Sequence, residues 1–305
     1  MNTTTALATD AAARPARPSG LVTPLATSVL VALDIDGTLL ASGHAASPET
    51  GIAVRALRLA GHHVVLASGR SLVGVLPVAH ALGLTHTWVV ASNGAVTARL
   101  DPMVSSGHTV QEATVFDAEP IVRLVAALLP DAQIAVEETG WGYRTSTLVP
   151  DAVINGRQRV VSFESLWSRP TSRVFLRGPG VLDLLGPLRD LGVTATPGGP
   201  EWVDVTPVAV SKATALETVR QSLGVQSTHT VAVGDGINDI AMLKWAARGV
   251  AMGHAPTELK AVADDVTGSI TDNGVIPVLR SLLETSPVRV RPLVSREAIL
   301  DRSIR

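Results

Sequence analysis

Two aspartates, Asp34 and Asp36, are the residues of this chain whose types and spacing most directly suggest chemistry. They lie in the segment DIDGTLL of residues 34–40, directly after an apolar run at residues 28–33 that is typical of a buried strand. Open α/β sheets bind their ligands where such strands end. Two carboxylates ~4 Å apart repel each other by an energy on the order of 4 kcal/mol at an effective dielectric near ~20. The pair therefore indicates that a positive group binds beside it.

A second acidic motif, GDGIND at residues 234–239, has the same setting after an apolar strand and before a helix. Asp235 and Asp239 are four residues apart, so a tight loop can bring both carboxylates to one point. Taken alone, this segment is equally consistent with a solvated turn and an acid at a helix start. Together the two motifs offer four carboxylates without histidine or thiol, which suits a hard divalent cation, Mg²⁺ first.

Composition excludes several classes of function. The net charge of -2 favours neither a nucleic-acid nor an acidic-surface partner. The chain has no cysteine, which excludes a disulfide framework, a thiol nucleophile and a cysteine zinc site, and which fits a cytoplasmic protein. Its apolar segments are too interrupted for a membrane helix. Residues 1–27 lack the apolar centre of a signal peptide, so we predict a disordered leader there and a loose tail at 286–305.

The elements that must position these acids alternate between strand and helix. Continuous apolar strands separated by helices indicate a parallel sheet covered on both faces. Residues 97–206 break the alternation with a mixture of helical and strand patterns. We therefore predict an α/β fold with a parallel-sheet core and an inserted α+β unit. The predicted core elements are strands at 28–33, 63–67, 88–92, 230–234 and 249–252, and helices at 47–60, 71–82, 212–223, 237–247 and 256–263.

Lysine is scarce in this arginine-rich chain, which contains only Lys212, Lys244 and Lys260. Lys212 begins a predicted helix, where a cation is electrostatically unfavourable. That position favours a functional role for Lys212 over a solvated lysine. Lys244 and Lys260 adjoin no reacting end of a motif and are predicted to lie on the surface.

Five segments in order resemble the motifs of the haloacid dehalogenase-like phosphatase superfamily, and more narrowly its Cof-type sugar-phosphatase branch. They are DIDGTLL at 34–40, ASGR at 67–70, SNGA at 92–95, Ser211-Lys212, and GDGINDIAML at 234–243. The resemblance spans about residues 28–285. It implies a Rossmann-like catalytic core formed by residues 28–96 and 207–285, with a cap domain at 97–206.

The resemblance also implies roles for individual residues. Asp34 would attack phosphorus and form an aspartyl phosphate. Asp36 would protonate the leaving oxygen and then deprotonate the attacking water. Ser68 would hydrogen-bond the phosphoryl oxygens, with a helix or turn cap as the structural alternative. Lys212 would hold the nucleophile and the transferring group.

Metal and substrate contacts follow from the same resemblance. Mg²⁺ would be held by four acids: Asp34, Asp36, Asp235 and Asp239. Asp36 would bind it through its backbone carbonyl, and Asp239 directly or through another ligand. Substrate contacts or loop bracing would come from three further residues: Arg70, Asn93 and Asn238.

Two segments leave substrate choice open. The segment WGYR at 141–144 could stack on a sugar or base, although a hairpin with partly buried aromatics is the favoured interpretation. Residues 253–255 read Gly-His-Ala where the branch usually has Gly-Asn-Ala. Neutral variation is the favoured interpretation of His254, with a helix-cap substitute or an altered substrate contact as alternatives.

The leading hypothesis is a magnesium-dependent phosphatase that acts on small phosphorylated metabolites, sugar phosphates first, as a monomer or homodimer. One alternative is a phosphomutase or phosphoryl transferase on the same core. Another is a non-catalytic protein that binds a phosphorylated metabolite. A dehalogenase is disfavoured, because that branch lacks the acid two residues after the nucleophile.

Overall fold

The computed structural model describes residues 28–284 apart from Ser42 and Ala152, so the predicted leader and tail lie outside the described residues. In chain order, the strands are β1 (Leu30–Leu33), β2 (His63–Ala67), β3 (Trp88–Ala91), β4 (Val96–Leu100), β5 (His108–Ala113), β6 (Gln133–Glu138), β7 (Gly142–Thr145), β8 (Arg157–Val160), β9 (Val174–Arg177), β10 (Val193–Gly199), β11 (Trp202–Pro207), β12 (Thr230–Gly234), β13 (Arg248–Ala251) and β14 (Asp265–Val266). The α-helices are α1 (Pro48–Leu59), α2 (Leu72–Ala81), α3 (Glu119–Leu128), α4 (Leu185–Asp190), α5 (Lys212–Leu223), α6 (Ile240–Trp245), α7 (Thr257–Lys260) and α8 (Val275–Glu284).

The larger of two sheets carries both acidic motifs. Its eight strands run in the order β14-β13-β12-β1-β2-β3-β4-β5. The pairs from β14 to β3 are parallel, whereas β4 and β5 are added antiparallel. The central strand β1 is buried along its whole length, as expected of an apolar strand with both faces covered. The predicted α/β fold with a parallel sheet is confirmed.

Helices cover this sheet on both faces. Apolar side chains of α1, α2 and α8 pack with one set of strand residues, and those of α5, α6 and α7 pack with the other. The start of α1 shows why the local sequence forms a helix. Ser47 caps it by accepting a hydrogen bond from the Thr50 N–H at 3.1 Å, and Pro48 occupies the first turn.

The second sheet lies within residues 119–207, which we call the insert. Its six strands run in the order β10-β11-β9-β6-β7-β8. One face packs against α3, α4 and a 3₁₀ turn at Phe163–Trp167 to form a separate apolar core. The chain therefore enters the insert after β5 and leaves it before α5.

The predicted domain boundary at residue 97 differs from the observed sheet topology. Strands β4 and β5 pair with β3 and with each other, so residues 96–113 extend the larger sheet. The reason for the difference is that β5 is an edge strand and largely exposed. Its polar sequence HTVQEA has none of the continuous apolar character that identified the central strands.

Two predicted helices are shorter in the structure. The segment predicted as a helix at 237–247 begins as a 3₁₀ turn, Ile237–Asp239, and α6 starts only at Ile240. The segment predicted at 256–263 contains the short helix α7. The first difference lies where the chain leaves the sheet after β12, and the second lies at the C-terminal end of α7, just before β14.

The packing of α1 generates a stability prediction. Leu57 is completely buried against the sheet and α8, whereas Leu59 on the same helix is 80% exposed. We expect Leu57→Ala to lower the free energy of unfolding by about 2–5 kcal/mol, because it removes buried methyl groups and leaves a cavity. The matched control Leu59→Ala is expected to change it by less than about 0.5 kcal/mol. Urea unfolding followed by circular dichroism measures both, and equal effects would contradict the packing described.

Candidate active site

The sheet topology brings the two acidic motifs together. Strands β1 and β12 are parallel neighbours with Leu33 opposite Val233, and the Asp34 N–H donates to the Val233 carbonyl at 3.0 Å. Asp34 and Asp235 therefore leave the same sheet edge side by side. Gly37, with φ of 82°, lies against Asp235 so closely that a Cβ there would be 2.0 Å from Asp235 Oδ2. Only glycine fits that approach.

Three of the four predicted acids converge. Carboxylate oxygens of Asp34, Asp235 and Asp239 all lie within 4.8 Å of one another. The fourth, Asp36, is the exception: its carboxylate pairs with Arg70, and its side chain is 57% exposed. A spacing of two residues would place Asp34 and Asp36 on one side of an extended chain, but the backbone turns at Ile35, whose carbonyl accepts from the Leu39 and Leu40 N–H groups.

Lys212 links the two motifs at the base of the site. Its Nζ donates to Asp34 Oδ1 and to Asp239 Oδ1, both at 2.6 Å, and its side chain is fully buried. Ser211 caps helix α5, so the helix begins where Lys212 can reach the sheet edge. Burial alone would lower the pKa of Lys212, but the charges of Asp239 and Asp34 raise it above its usual value. Lys212 is therefore a permanent cation.

The Asp239 carboxylate accepts hydrogen bonds from the backbone of the GDGIND loop to which it belongs. Its Oδ2 accepts the backbone N–H groups of Asp235 at 3.0 Å and Gly236 at 2.9 Å, while Oδ1 accepts from Lys212. Both oxygens of Asp239 thus already have partners within the protein. This carboxylate holds the GDGIND loop and Lys212 in place.

The single positive charge of Lys212 does not balance the three acids that lie together. Burial, with Asp239 and Asp235, raises the pKa of Asp34 well above its usual value, although Lys212 lowers it. Burial and Asp239 also raise the pKa of Asp235, an effect that His254 partly offsets. Carboxylate oxygens at this spacing suit a hard divalent cation, which would relieve the mutual repulsion. The donor set therefore fits a metal site.

Two loops complete the rim. The Ser68 hydroxyl is buried after β2 and accepts the Arg70 N–H at 3.1 Å, and the Asn93 N–H donates to the Ser68 carbonyl at 3.0 Å. Asn238 Nδ2 donates to Asn93 Oδ1 at 2.9 Å. Arg70 donates to both oxygens of Asp36, through Nε at 2.7 Å and Nη2 at 2.5 Å. These contacts bring the remaining residues singled out in the sequence to the same sheet edge.

Two further residues contact Asp235 without a prior assignment. Thr38 donates to Asp235 Oδ1 at 3.4 Å, and His254 Nε2 lies 3.4 Å from Asp235 Oδ2. The Ile270 N–H donates to His254 Nδ1 at 3.3 Å, which places the ring proton on Nε2, directed at Asp235. The sequence signalled His254 only as a departure from the usual pattern, and Thr38 as part of DIDGTLL.

The WGYR segment forms a hairpin, the interpretation favoured from the sequence. Strand β7 pairs antiparallel with β6, and Tyr143 is buried. The Arg159 guanidinium lies 5.1 Å from the centroid of the Trp141 ring. Arg144 is directed to the Ser165 carbonyl and the Ser168 hydroxyl of the insert.

Comparison with known proteins decides the family. A family model described as haloacid dehalogenase-like hydrolase matches residues 31–143 and 186–279, more than half of the chain. The chain belongs to the haloacid dehalogenase-like hydrolases. The resemblance stated from five short motifs is thereby confirmed, and so is the assignment to an enzyme of the hydrolase class. The match omits residues 144–185, which form the middle of the insert.

The chain aligns with named relatives and with a solved structure over nearly the whole length of each of those proteins. The chain is 26% identical to phosphatase YwpJ of Bacillus subtilis, covering 83% of this chain and 99% of that protein. It is 26% identical to the 5-amino-6-(5-phospho-D-ribitylamino)uracil phosphatase YcsE of B. subtilis, with coverage of 82% and 94%. The structure of BT1666 from Bacteroides thetaiotaomicron, presented among haloalkanoate superfamily phosphatases, is 28% identical with a TM-score of 0.69, covering 86% of this chain and 98% of that one.

Within the described residues, no helix has the length and apolar character that crossing a bilayer requires.

The buried lysine generates a prediction about stability and pH. We expect Lys212→Met to lower the free energy of unfolding by about 3–5 kcal/mol at neutral pH, because Asp34 and Asp239 then lose their buried counter-charge. Burial raises the pKa of the Asp34 carboxyl above its unfolded value, so the folded state binds more protons than the unfolded state, and the loss shrinks as the pH falls. Denaturation at several pH values tests this. The exposed Lys244→Met is the control, and a pH-independent loss in Lys212→Met would contradict the electrostatic explanation.

Proposed function

We propose that this protein is a magnesium-dependent phosphatase that hydrolyses phosphate monoesters of small metabolites through an aspartyl-phosphate intermediate. The observation that carries the proposal is the buried contact of Lys212 with both Asp34 and Asp239 beside Asp235. This arrangement keeps one carboxylate at the sheet edge next to a fixed cation. It suits the attack of an anionic nucleophile on an anionic phosphoryl group, which requires compensating positive charge.

The metal would be held by the side chains of Asp34 and Asp235 and by the Asp36 backbone carbonyl. Asp239 would act through its hold on Lys212 and on the Asp235 loop, since both its oxygens have partners. When bound, Mg²⁺ supplies positive charge that neutralises phosphoryl oxygens and the two carboxylates. The raised pKa values of Asp34 and Asp235 support this need for a cation.

Each protein group then has a chemical task. An Asp34 oxygen forms a bond to phosphorus while the ester P–O bond breaks, and Asp36 gives its proton to the leaving oxygen. In the second half, Asp36 takes a proton from water as the water oxygen attacks phosphorus. The bond from phosphorus to Asp34 breaks, inorganic phosphate leaves, and Asp34 is regenerated. Lys212 and the Ser68 hydroxyl would stabilise charge on the phosphoryl oxygens.

Arg70 must release Asp36 before Asp36 can transfer a proton. Both oxygens of Asp36 accept hydrogen bonds from Arg70 in the structure, so neither is free to transfer a proton. We expect Arg70 to exchange this contact for anionic substrate oxygens when substrate binds. Asn93 and Asn238, linked at the rim, would then contact the phosphoryl group or the leaving group.

The substrate class is proposed from the relatives and the insert. YcsE is named for a substrate in which phosphate is attached to a ribityl chain, which supports sugar phosphates and similar phosphorylated metabolites as substrates. The insert would act as the cap that closes over the site and excludes water. In this division, residues 28–113 and 208–284 form the catalytic core.

Replacing the nucleophile tests the central step. We expect Asp34→Asn to lower kcat on a generic aryl phosphate by about a thousandfold or more, because the amide cannot form the covalent intermediate. Phosphate release measured at fixed enzyme concentration reports the loss. The exposed Asp265→Asn is the control and should retain activity within about twofold. Full activity in Asp34→Asn would contradict the mechanism.

Metal binding can be tested by its effect on protein stability as well as on activity. A chelator should abolish phosphate release, and Mg²⁺ should restore it. In addition, Mg²⁺ at about a hundred times its Kd should stabilise the wild type by about 2.7 kcal/mol against unfolding. The shift should shrink as the pH falls, because protonated Asp34 and Asp235 bind metal poorly. Loss of the shift in Asp235→Asn would support this site, and an undiminished shift in that variant would place the metal elsewhere.

Product analysis separates the proposal from its alternatives. Hydrolysis releases one inorganic phosphate for each phosphorylated metabolite consumed. Accumulation of an isomeric phosphate ester without free phosphate would indicate a phosphomutase. Tight binding without turnover of any member of a broad panel of phosphorylated metabolites would indicate a non-catalytic binder.

A further inference from the structure

A buried carboxylate of the insert reaches into the catalytic sheet. Glu137 on β6 is 2% exposed, and its Oε2 accepts the hydroxyl of Ser92 at 2.6 Å. Ser92 begins the segment Ser92–Gly94, which we call the SNG loop. Burial raises the pKa of Glu137 above its usual value, although the charge of Arg173 and the hydrogen bond from Ser92 lower it. This side chain therefore connects the insert to the SNG loop of the active-site rim.

The SNG loop has an unfavourable backbone that needs external support. Ser92, Asn93 and Gly94 have φ values of 51°, 54° and 103°, and the left-handed region costs energy for the two residues that carry a Cβ. Gly94 packs so tightly that a Cβ there would lie 2.1 Å from the Ser211 carbonyl oxygen. Strain of this kind persists only where surrounding contacts determine the conformation.

Hydrogen bonds and close packing join the SNG loop to several segments of the site. The Ser92 N–H donates to the Arg70 carbonyl at 2.7 Å, and the Asn93 N–H donates to the Ser68 carbonyl at 3.0 Å. The Asn93 side chain accepts from Asn238, and Gly94 abuts Ser211, which precedes Lys212. Displacement of the SNG loop would therefore disturb the residues proposed to bind phosphate.

Glu137 itself is held rigidly within the insert. Its N–H donates to the Arg173 carbonyl at 2.9 Å, and its carbonyl accepts the Thr171 hydroxyl at 2.8 Å. Arg173 also donates to Asp204 at 2.7 Å and to the Tyr143 hydroxyl at 3.1 Å. A second contact between the two parts runs from the Ser71 hydroxyl to the Asn155 carbonyl at 3.1 Å. The carboxylate is thus a fixed point to which the SNG loop can attach.

We propose that Glu137 is a positioning residue: its hydrogen bond with Ser92 holds the SNG loop, and thereby Asn93, in the active conformation when the insert is seated on the catalytic sheet. The site is complete only while that contact exists. Seating of the insert would therefore be coupled to alignment of the phosphate-binding rim. The catalytic consequence rests on the proposed function, whereas the ordering of the loop does not.

Three variants and one matched control test the inference. Ser92→Ala and Glu137→Leu remove the hydrogen bond from its two sides, and Glu137→Gln keeps an oxygen that can accept it. Glu138→Leu is the control, because the neighbouring Glu138 carboxylate pairs with Arg159 within the insert, at 3.0 Å. Amide hydrogen exchange of a peptide that includes Ser92 and Asn93 reports loop order without requiring activity.

We expect faster exchange of this peptide in Ser92→Ala and Glu137→Leu, and wild-type exchange in Glu138→Leu. On an aryl phosphate, the first two variants should lose about tenfold in kcat with KM changed by less than about threefold, and Glu137→Gln should recover most of the loss. Unchanged exchange in both Ser92→Ala and Glu137→Leu, or an equal effect of Glu138→Leu, would overturn the proposal. Faster exchange with undiminished kcat would overturn its catalytic part. A wild type that turns over no phosphate ester would refute the proposed function, and exchange alone would then decide the role of Glu137.

Discussion

The structure depends on one buried interaction, the contact of the Lys212 ammonium with Asp34 and Asp239. Burying charges costs several kcal/mol each unless they are paired and hydrogen-bonded, and here the pairing is nearly complete. Asp239 accepts two backbone N–H groups in addition to Lys212, and Lys212 lies between two acids. Strands β1 and β12 must be neighbours, and α5 must begin at this sheet edge, for these contacts to form.

The negative charge that Lys212 does not balance explains the chemistry proposed for this cluster. One lysine cannot balance three acids, so Asp34 and Asp235 keep raised pKa values and suit a divalent cation. A phosphoryl group brings further negative charge to the same place, and the same cations would stabilise it. The rim residues, in contrast, are held by hydrogen bonds between loops, some of which come from the insert. Charge pairs therefore hold the base of the site, and hydrogen bonds between loops hold its rim.

The central elements were predictable because their patterns are local. Strands β2 and β12 and helix α5 have the predicted bounds, since a short apolar run or a capped amphipathic segment is recognisable without its neighbours. The edge strand β5 was assigned to the insert, because an exposed polar strand has no apolar signature. The pairing of the Asp36 carboxylate with Arg70 could not be predicted either, because strand alternation no longer applies once the chain turns at Ile35.

The amino-acid sequence was sufficient to identify the family, because ordered motifs at strand ends specify residue types and spacing, and it singled out the lysine and three acids that the structure brings together. It also indicated a need for positive charge, since acidic motifs follow two apolar strands of one predicted sheet. The partners of each group depended on the tertiary structure. Asp36 pairs with Arg70, His254 faces Asp235, and Glu137 reaches Ser92 across 45 residues. Such contacts join segments far apart in the chain, and only strand order and packing determine which of them meet.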